Sequence, residues 1–182
     1  MSFDQFVFGY GSLASEYDDG PVAVLRGYRR VWGVAMENRR DLPGYKHYLL
    51  RSDGSRPDVF VAFVDLRQES GASVTGRYVP VDDARLAVLD RRERNYSRVD
   101  VTADVDAAPG GTVWAYLGSA GGRARFDAGR RSGSAVVSSD YLELVRAAIG
   151  ALGAGELEEF ERSSGLESLA IWDLERIETV SP

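Results

Sequence analysis

Residues 59–66 (Val-Phe-Val-Ala-Phe-Val-Asp-Leu) are the most hydrophobic strand-like run of this chain. The run lacks the polar–apolar alternation of a strand with one wet face, so burial on both faces is expected. Residues 73–79 alternate well and end at Pro80. The two runs are expected to pair as a hairpin around Gln68 to Ala72. Further strand-type runs surround them. Gln5 to Tyr10 is a first strand. From Val22 to Met36 the chain reads as one long bent strand or two, with Gly27 and Gly33 at bulges. Tyr48 to Arg51, Tyr96 to Ala103 and Thr112 to Leu117 complete the set.

The period changes only in places. Asp82 and Asp83 precede an apolar pattern that ends in Arg91 and Arg92, so a helix over residues 83–92 with Asp82 as N-cap is expected. Ser138 or Ser139 can cap a helix running to Leu152, and Glu156 to Arg162 forms another. The tail, Leu166 to Val180, is open to either strand or helix. Residues 38–45 read as a loop, with Asn38-Arg39-Arg40 as a solvated turn. Residues 118–134, rich in glycine and arginine, read as a mobile loop whose length suggests a lid. With no repeat or linker, a single α+β domain over residues 1–182 is expected.

Composition removes several kinds of chemistry. There is no cysteine, so thiolate nucleophiles, disulfides and thiolate metal sites are excluded. The single histidine, His47, rules out multi-histidine metal sites and reads as a strand-edge residue. A net charge of −6 argues against an obligatory nucleic-acid partner. Lys46 is the only lysine; every other basic residue is arginine. No signal peptide or membrane-spanning segment is visible, and a cytoplasmic location is expected.

Two stretches can carry a site. The first strand ends in Gly9-Tyr10-Gly11-Ser12-Leu13, a chargeless turn where Gly11 permits positive φ or close approach to a ligand, and where successive N–H groups can converge on an anion. A plain strand-ending turn has the same composition. The second stretch is residues 89–99, where Glu93 falls at a helix-to-strand junction among Arg91, Arg92, Arg94 and Arg98. Junctions of this kind can point a side chain into a cleft, although a surface ion pair would look alike in sequence.

Taken together, Phe8-Gly9-Tyr10-Gly11-Ser12-Leu13 and Leu89-Asp90-x-x-Glu93-x-x-Tyr96-x-Arg98-x-Val99 resemble the γ-glutamylcyclotransferase-like superfamily, which includes ChaC-type and AIG2-like proteins. The stretch from Val136 to Val145 is similar to the family's late Ser-x-x-Tyr helix start. The resemblance implies a small mixed β-barrel flanked by helices, with a cleft at one end. It implies that Tyr10, Gly11, Ser12 and Leu13 bind the γ-glutamyl group, that Glu93 is the acid/base, and that Tyr141 closes the pocket. The implied reaction releases 5-oxoproline and an amine, needs no cofactor or metal, and takes a small γ-glutamyl compound such as glutathione as substrate. Arg94 departs from the glycine that many relatives carry after the motif glutamate, and Ala14-Ser15-Glu16-Tyr17 matches no family pattern. A second reading is a non-catalytic module that retains the pocket. A third is removal of a γ-glutamyl protecting group from a biosynthetic amine.

Overall fold

The computed structural model describes residues 4–16, 20–41, 45–106 and 110–178. Along the chain come β1 (Gln5–Gly9), the single-turn helix α1 (Ser12–Ser15), β2 (Val22–Glu37), β3 (Lys46–Leu50) and β4 (Phe60–Val81). Then follow α2 (Asp83–Arg92), β5 (Tyr96–Asp100), β6 (Thr112–Gly118), α3 (Ala120–Ser132), β7 (Ala135–Ser138) and α4 (Ser139–Gly150). The chain closes with α5 (Ala154–Ser163), β8 (Ala170–Trp172) and β9 (Leu174–Glu178). Tyr17, residues 42–44 of the expected loop, and the tail beyond Glu178 lie outside the described residues.

The fold is built on β4. One edge of it pairs antiparallel with β2 over nearly the full length of both strands. Its other edge is shared by two partners that never meet. β1 runs antiparallel to its end, from Gln5 opposite Val81 to Gly9 opposite Arg77. β7 runs parallel to its start, with Phe60 opposite Ala135 and Val61 opposite Val136. β6 and β5 extend the sheet beyond β1, and β8 extends it beyond β7, while β3 and β9 form a separate two-stranded sheet. This is the mixed α+β architecture expected, with helices packed around a large mixed sheet. Among the described residues the outermost strands, β5 and β8, do not pair with each other to close a ring.

The burial forecast for residues 59–66 holds: Val61 through Leu66 are all buried. The hairpin expected around Gln68 to Ala72 does not form. The two runs are one continuous strand, because β2 supplies a partner on both sides of the break. Ladder pairing jumps from Tyr28–Gln68 to Arg26–Ser73, with Gly27 at φ 79° and Gly71 at φ 84° absorbing the extra residues. A paired bulge bends both strands without reversing either. The second expected bulge, at Gly33, is present between Trp32 and Val34.

Residues 118–134 are likewise not a mobile loop; most of them form α3. Ser119 caps it, accepting from the Gly122 N–H, and Gly133 ends it in the left-handed conformation. The arginines anchor this helix. Arg123 Nε donates to Asp65 Oδ2 at 2.9 Å, and Arg125 donates to Ala35 O at 2.9 Å and Asn95 Oδ1 at 2.8 Å. Asp65 is fully buried and also accepts from Gly118 N–H at 2.6 Å, with Arg67 at 3.2 Å. Nor is Asn38 part of a solvated turn. It is buried, accepts from Tyr48 N–H, and donates to Tyr48 O and Pro57 O, which fixes the start of β3. The helix over 83–92 forms as expected, with the Asp82 side chain accepting from Arg85 N–H at 2.7 Å. Ser138 does occupy the N-cap of α4, but its hydroxyl donates to Leu174 O instead of capping.

Candidate functional site

The C-terminal ends of β1 and β7 point at each other across the middle of β4, since one strand is antiparallel to β4 and the other parallel. Between their last pairs, at Val61 and Arg77, the edge of β4 has no strand beside it. Backbone groups there must find other partners. At Val64 those partners are tyrosines: Tyr96 Oη donates to Val64 O at 2.6 Å, and the Val64 backbone also bonds the Tyr141 hydroxyl. Each converging strand turns into a helix, and α1 and α4 pack against each other over the opening.

Two connected spaces result. A narrow inner recess of about 30 Å³ is lined by Tyr10, Gly11, Ser12, Leu13, Val64, Glu93, Tyr96, Tyr116 and Tyr141. All six residues assigned from the sequence are in that lining. A wider outer cleft of about 260 Å³ shares Ser12, Glu93, Tyr96 and Tyr141 with it and adds Tyr45, Lys46, Phe63, Asn95 and Arg176, among others.

Of the two glycines in the strand-ending turn, Gly9 has the stricter requirement. A Cβ on Gly9 would lie 2.9 Å from Ala14 N, because α1 folds straight back over it. Gly11 adopts φ −138°, not the positive φ allowed for in the sequence reading. A Cβ there would meet only Val64 Cβ, at 3.9 Å. Gly11 therefore leaves space in the recess. The turn is pinned from below by Arg30, which donates to Tyr10 O at 2.7 Å and to Thr75 O at 2.6 Å. Ser12 and Leu13 open the first turn of α1, where N–H groups have no partner within the helix.

Among the described residues Glu93 is the only carboxylate lining the inner recess. It ends α2: its N–H bonds to Leu89 O at 2.8 Å, and its own carbonyl accepts from Tyr96 N–H at 2.9 Å. This tight reversal swings the side chain inward, where it keeps 18% of its exposure. Oε1 accepts from Arg92 Nε at 2.8 Å, and Oε2 has no hydrogen bond among the described residues. Arg92 is held in turn by Glu16 at 2.6 Å. Two residues on, Asn95 locks the turn. Its side chain donates to Tyr45 Oη at 2.9 Å and accepts from Arg125, while its carbonyl accepts from Ser119 N–H and Oγ.

The tyrosines around the recess stay protonated. Burial pushes the Tyr10, Tyr96, Tyr116 and Tyr141 hydroxyls well above the usual phenol range, and the charge of Glu93 adds to each. For Tyr141, bonds with the Val64 backbone and the Ser12 side chain act in the opposite sense. Tyr10 Oη donates to Tyr116 O at 2.6 Å, and Tyr116 Oη donates to Asp90 Oδ1 at 2.8 Å. These phenols are donors and walls, and Glu93 is the carboxylate they surround among the described residues. Sequence reasoning assigned no role to Val64, Tyr96 or Tyr116. Tyr96 was legible as part of the Glu93 motif; Val64 was hidden in the buried strand, since only the gap between β1 and β7 makes it a site residue. Arg94, the departure from the family pattern, lies over the Tyr45 ring at 5.3 Å, on the wall of the outer cleft.

A mixed α+β domain with a single carboxylate and a glycine turn facing one recess defines the class, and the sequence defines the family. The family model for γ-glutamyl cyclotransferase, AIG2-like proteins matches residues 7–142, most of the chain, and the protein belongs to that family. No curated protein matches the sequence. Among solved structures, the chain is similar to a γ-glutamyl cyclotransferase at 14% identity and TM-score 0.50, over 86% of this chain and 85% of that one. It is also similar to an uncharacterized protein from Homo sapiens at 18% identity and TM-score 0.53, again over 86% and 85%. At such identities the likeness shows the fold.

Proposed function

We infer that the protein is an active γ-glutamyl cyclotransferase in which Glu93 moves the protons. The observation that carries this is the shared recess: the Tyr10–Leu13 turn and Glu93 come from segments some eighty residues apart and face the same small space. In a γ-glutamyl amide the α-amine attacks the γ-carbonyl carbon. The new C–N bond closes the five-membered ring of 5-oxoproline, and the original C–N bond breaks to release an amine. The nucleophile belongs to the substrate, which suits a chain without cysteine.

Three contributions fall to the protein. Holding the flexible glutamyl chain in its folded attack geometry can supply roughly 7–11 kcal/mol. In this reading the Ser12 and Leu13 N–H groups and the Tyr141 hydroxyl donate to the developing oxyanion, at about 3 kcal/mol per donor; their shared lining of the recess supports it. Glu93 Oε2 takes the proton from the α-ammonium and returns it to the departing nitrogen, a factor of about 10² to 10⁴. Arg92 on Oε1 keeps the carboxylate oriented meanwhile.

The test is release of 5-oxoproline from glutathione, γ-glutamyl dipeptides and γ-glutamylamines. Turnover of one or more of these is expected, with a loss of about 10² or greater in Glu93→Gln, whose circular dichroism and melting stay those of the wild type. A folded protein silent across the panel would overturn the reading and leave a binding module.

A further inference from the structure

The only lysine of the chain begins β3, where the two-stranded sheet borders the outer cleft. Its ammonium lies 4.2 Å from the centroid of the Phe63 ring and 5.7 Å from that of Tyr45. No carboxylate pairs with it among the described residues. Other cations of this cleft are engaged: Arg92 by Glu93 and Glu16, and Arg176 by Glu178. Burial, and then the neighbouring Arg176, push Lys46 down to about 8, so it is still largely charged at neutral pH. Glu93 and Glu178 are near enough to favour its charge, but neither forms a salt bridge with it, so a partly desolvated ammonium held by two ring faces keeps attraction for an incoming anion.

Position says which anion. Lys46 lines the outer cleft and not the inner recess. With the γ-glutamyl group in the recess, as the cyclotransferase reading requires, the amine half of the substrate extends past Glu93 and Tyr141 into that cleft. We propose that Lys46 binds a carboxylate carried by the leaving amine, so that the substrates of this site are γ-glutamyl amino acids in preference to γ-glutamyl alkylamines. The rings of Phe63 and Tyr45 beneath the ammonium fix its height.

Binding tests this independently of turnover. γ-Glutamylglycine and γ-glutamylethylamide, matched except for the carboxylate, are titrated calorimetrically into Glu93→Gln protein with and without Lys46→Met. The expected result is about tenfold or greater weakening for γ-glutamylglycine, the loss of one charge-assisted contact, and less than about twofold for γ-glutamylethylamide. Lys46→Arg is expected to retain most of the difference. The preference for γ-glutamylglycine should also fade above pH 8 in the lysine protein and not in Lys46→Met. Lys46 is the titrating group in that range, flanked by Arg176 and Glu178 on β9, by Glu93 and Arg92 at the end of α2, and by Tyr45 beside it. Equal weakening of both ligands, no weakening, or binding of neither would overturn the assignment. Release of 5-oxoproline by the wild type, measured in parallel, tells failure of this assignment from failure of the cyclotransferase reading.

Discussion

Replacing Arg30 by methionine tests how the glycine turn is held. Arg30 projects from β2, is only 5% exposed, and donates to the carbonyls of Tyr10 and Thr75, with Glu156 at 3.8 Å. It is thus the tie between the Tyr10–Leu13 turn and the unpaired edge of β4. Methionine keeps the apolar stem and removes the fork. Each charge-assisted bond contributes about 1.5–3 kcal/mol, and the two carbonyls would stay buried without a donor. Against this stands relief of a buried charge, the burial that brings Arg30 down to about 10. The net cost should be about 2–4 kcal/mol. For a chain of this size that lowers Tm by roughly 4–16 °C. Urea unfolding at constant m gives the free energy directly. Turnover at a temperature where the variant is fully folded should also drop, because a turn displaced by about 1 Å can cost 10²-fold. A stability loss below about 0.5 kcal/mol would refute the reasoning, since it would mean that water serves both carbonyls as well as the guanidinium does.

The two turn glycines should behave oppositely. Gly11→Val puts atoms into the inner recess and should abolish ligand binding with little change in Tm, whereas Gly9→Ala meets Ala14 N at 2.9 Å and should cost about 1–3 kcal/mol on thermal melting. Asp65→Asn leaves Arg123 and Arg67 facing a neutral, buried amide and should cost about 3–5 kcal/mol, with hydrogen exchange rising first in α3. Stability should rise with pH between about 8 and 10. Lys46 is at about 8 when folded and near the ordinary lysine value of 10.5 when unfolded, so the unfolded chain holds more protons in that window. The rise should vanish in Lys46→Met, measured as urea midpoints. Above pH 10 the buried tyrosines act in the reverse sense, because they remain protonated only in the folded state.

The sequence and the structure part company where a local signal has two tertiary meanings. The bulges at Gly27 and Gly33, the Asp82 cap and the helix it opens were legible because the cause lies within a few residues of the effect. So were the parts of the recess, once the glycine turn and the Glu93 motif were read as a pair. The break at residues 68–72 was misread because a hairpin turn and a bulge opposite a second bulge leave the same mark: polar residues and a glycine between two strand patterns. Only the partner strand separates them. In α3, glycines lowered the local helix signal, yet several are contact points: a Cβ on Gly129 would lie 2.8 Å from Phe60 Cβ. Helix propensity was overridden by the buried carboxylate of Asp65, which draws Arg123 from a stretch that looks like linker. Lys46 stood out in composition but had no assignable role until the sheet placed it beside Phe63.

In the proposed reaction the substrate's own amine closes the ring beside Glu93. Turnover of a γ-glutamyl amino acid in H₂¹⁸O, followed by mass spectrometry, tests that claim most directly. The wild type should give 5-oxoproline without ¹⁸O, and Glu93→Gln no product above background. Free glutamate carrying ¹⁸O in its γ-carboxylate would contradict it, since water and not the α-amine would then be the nucleophile.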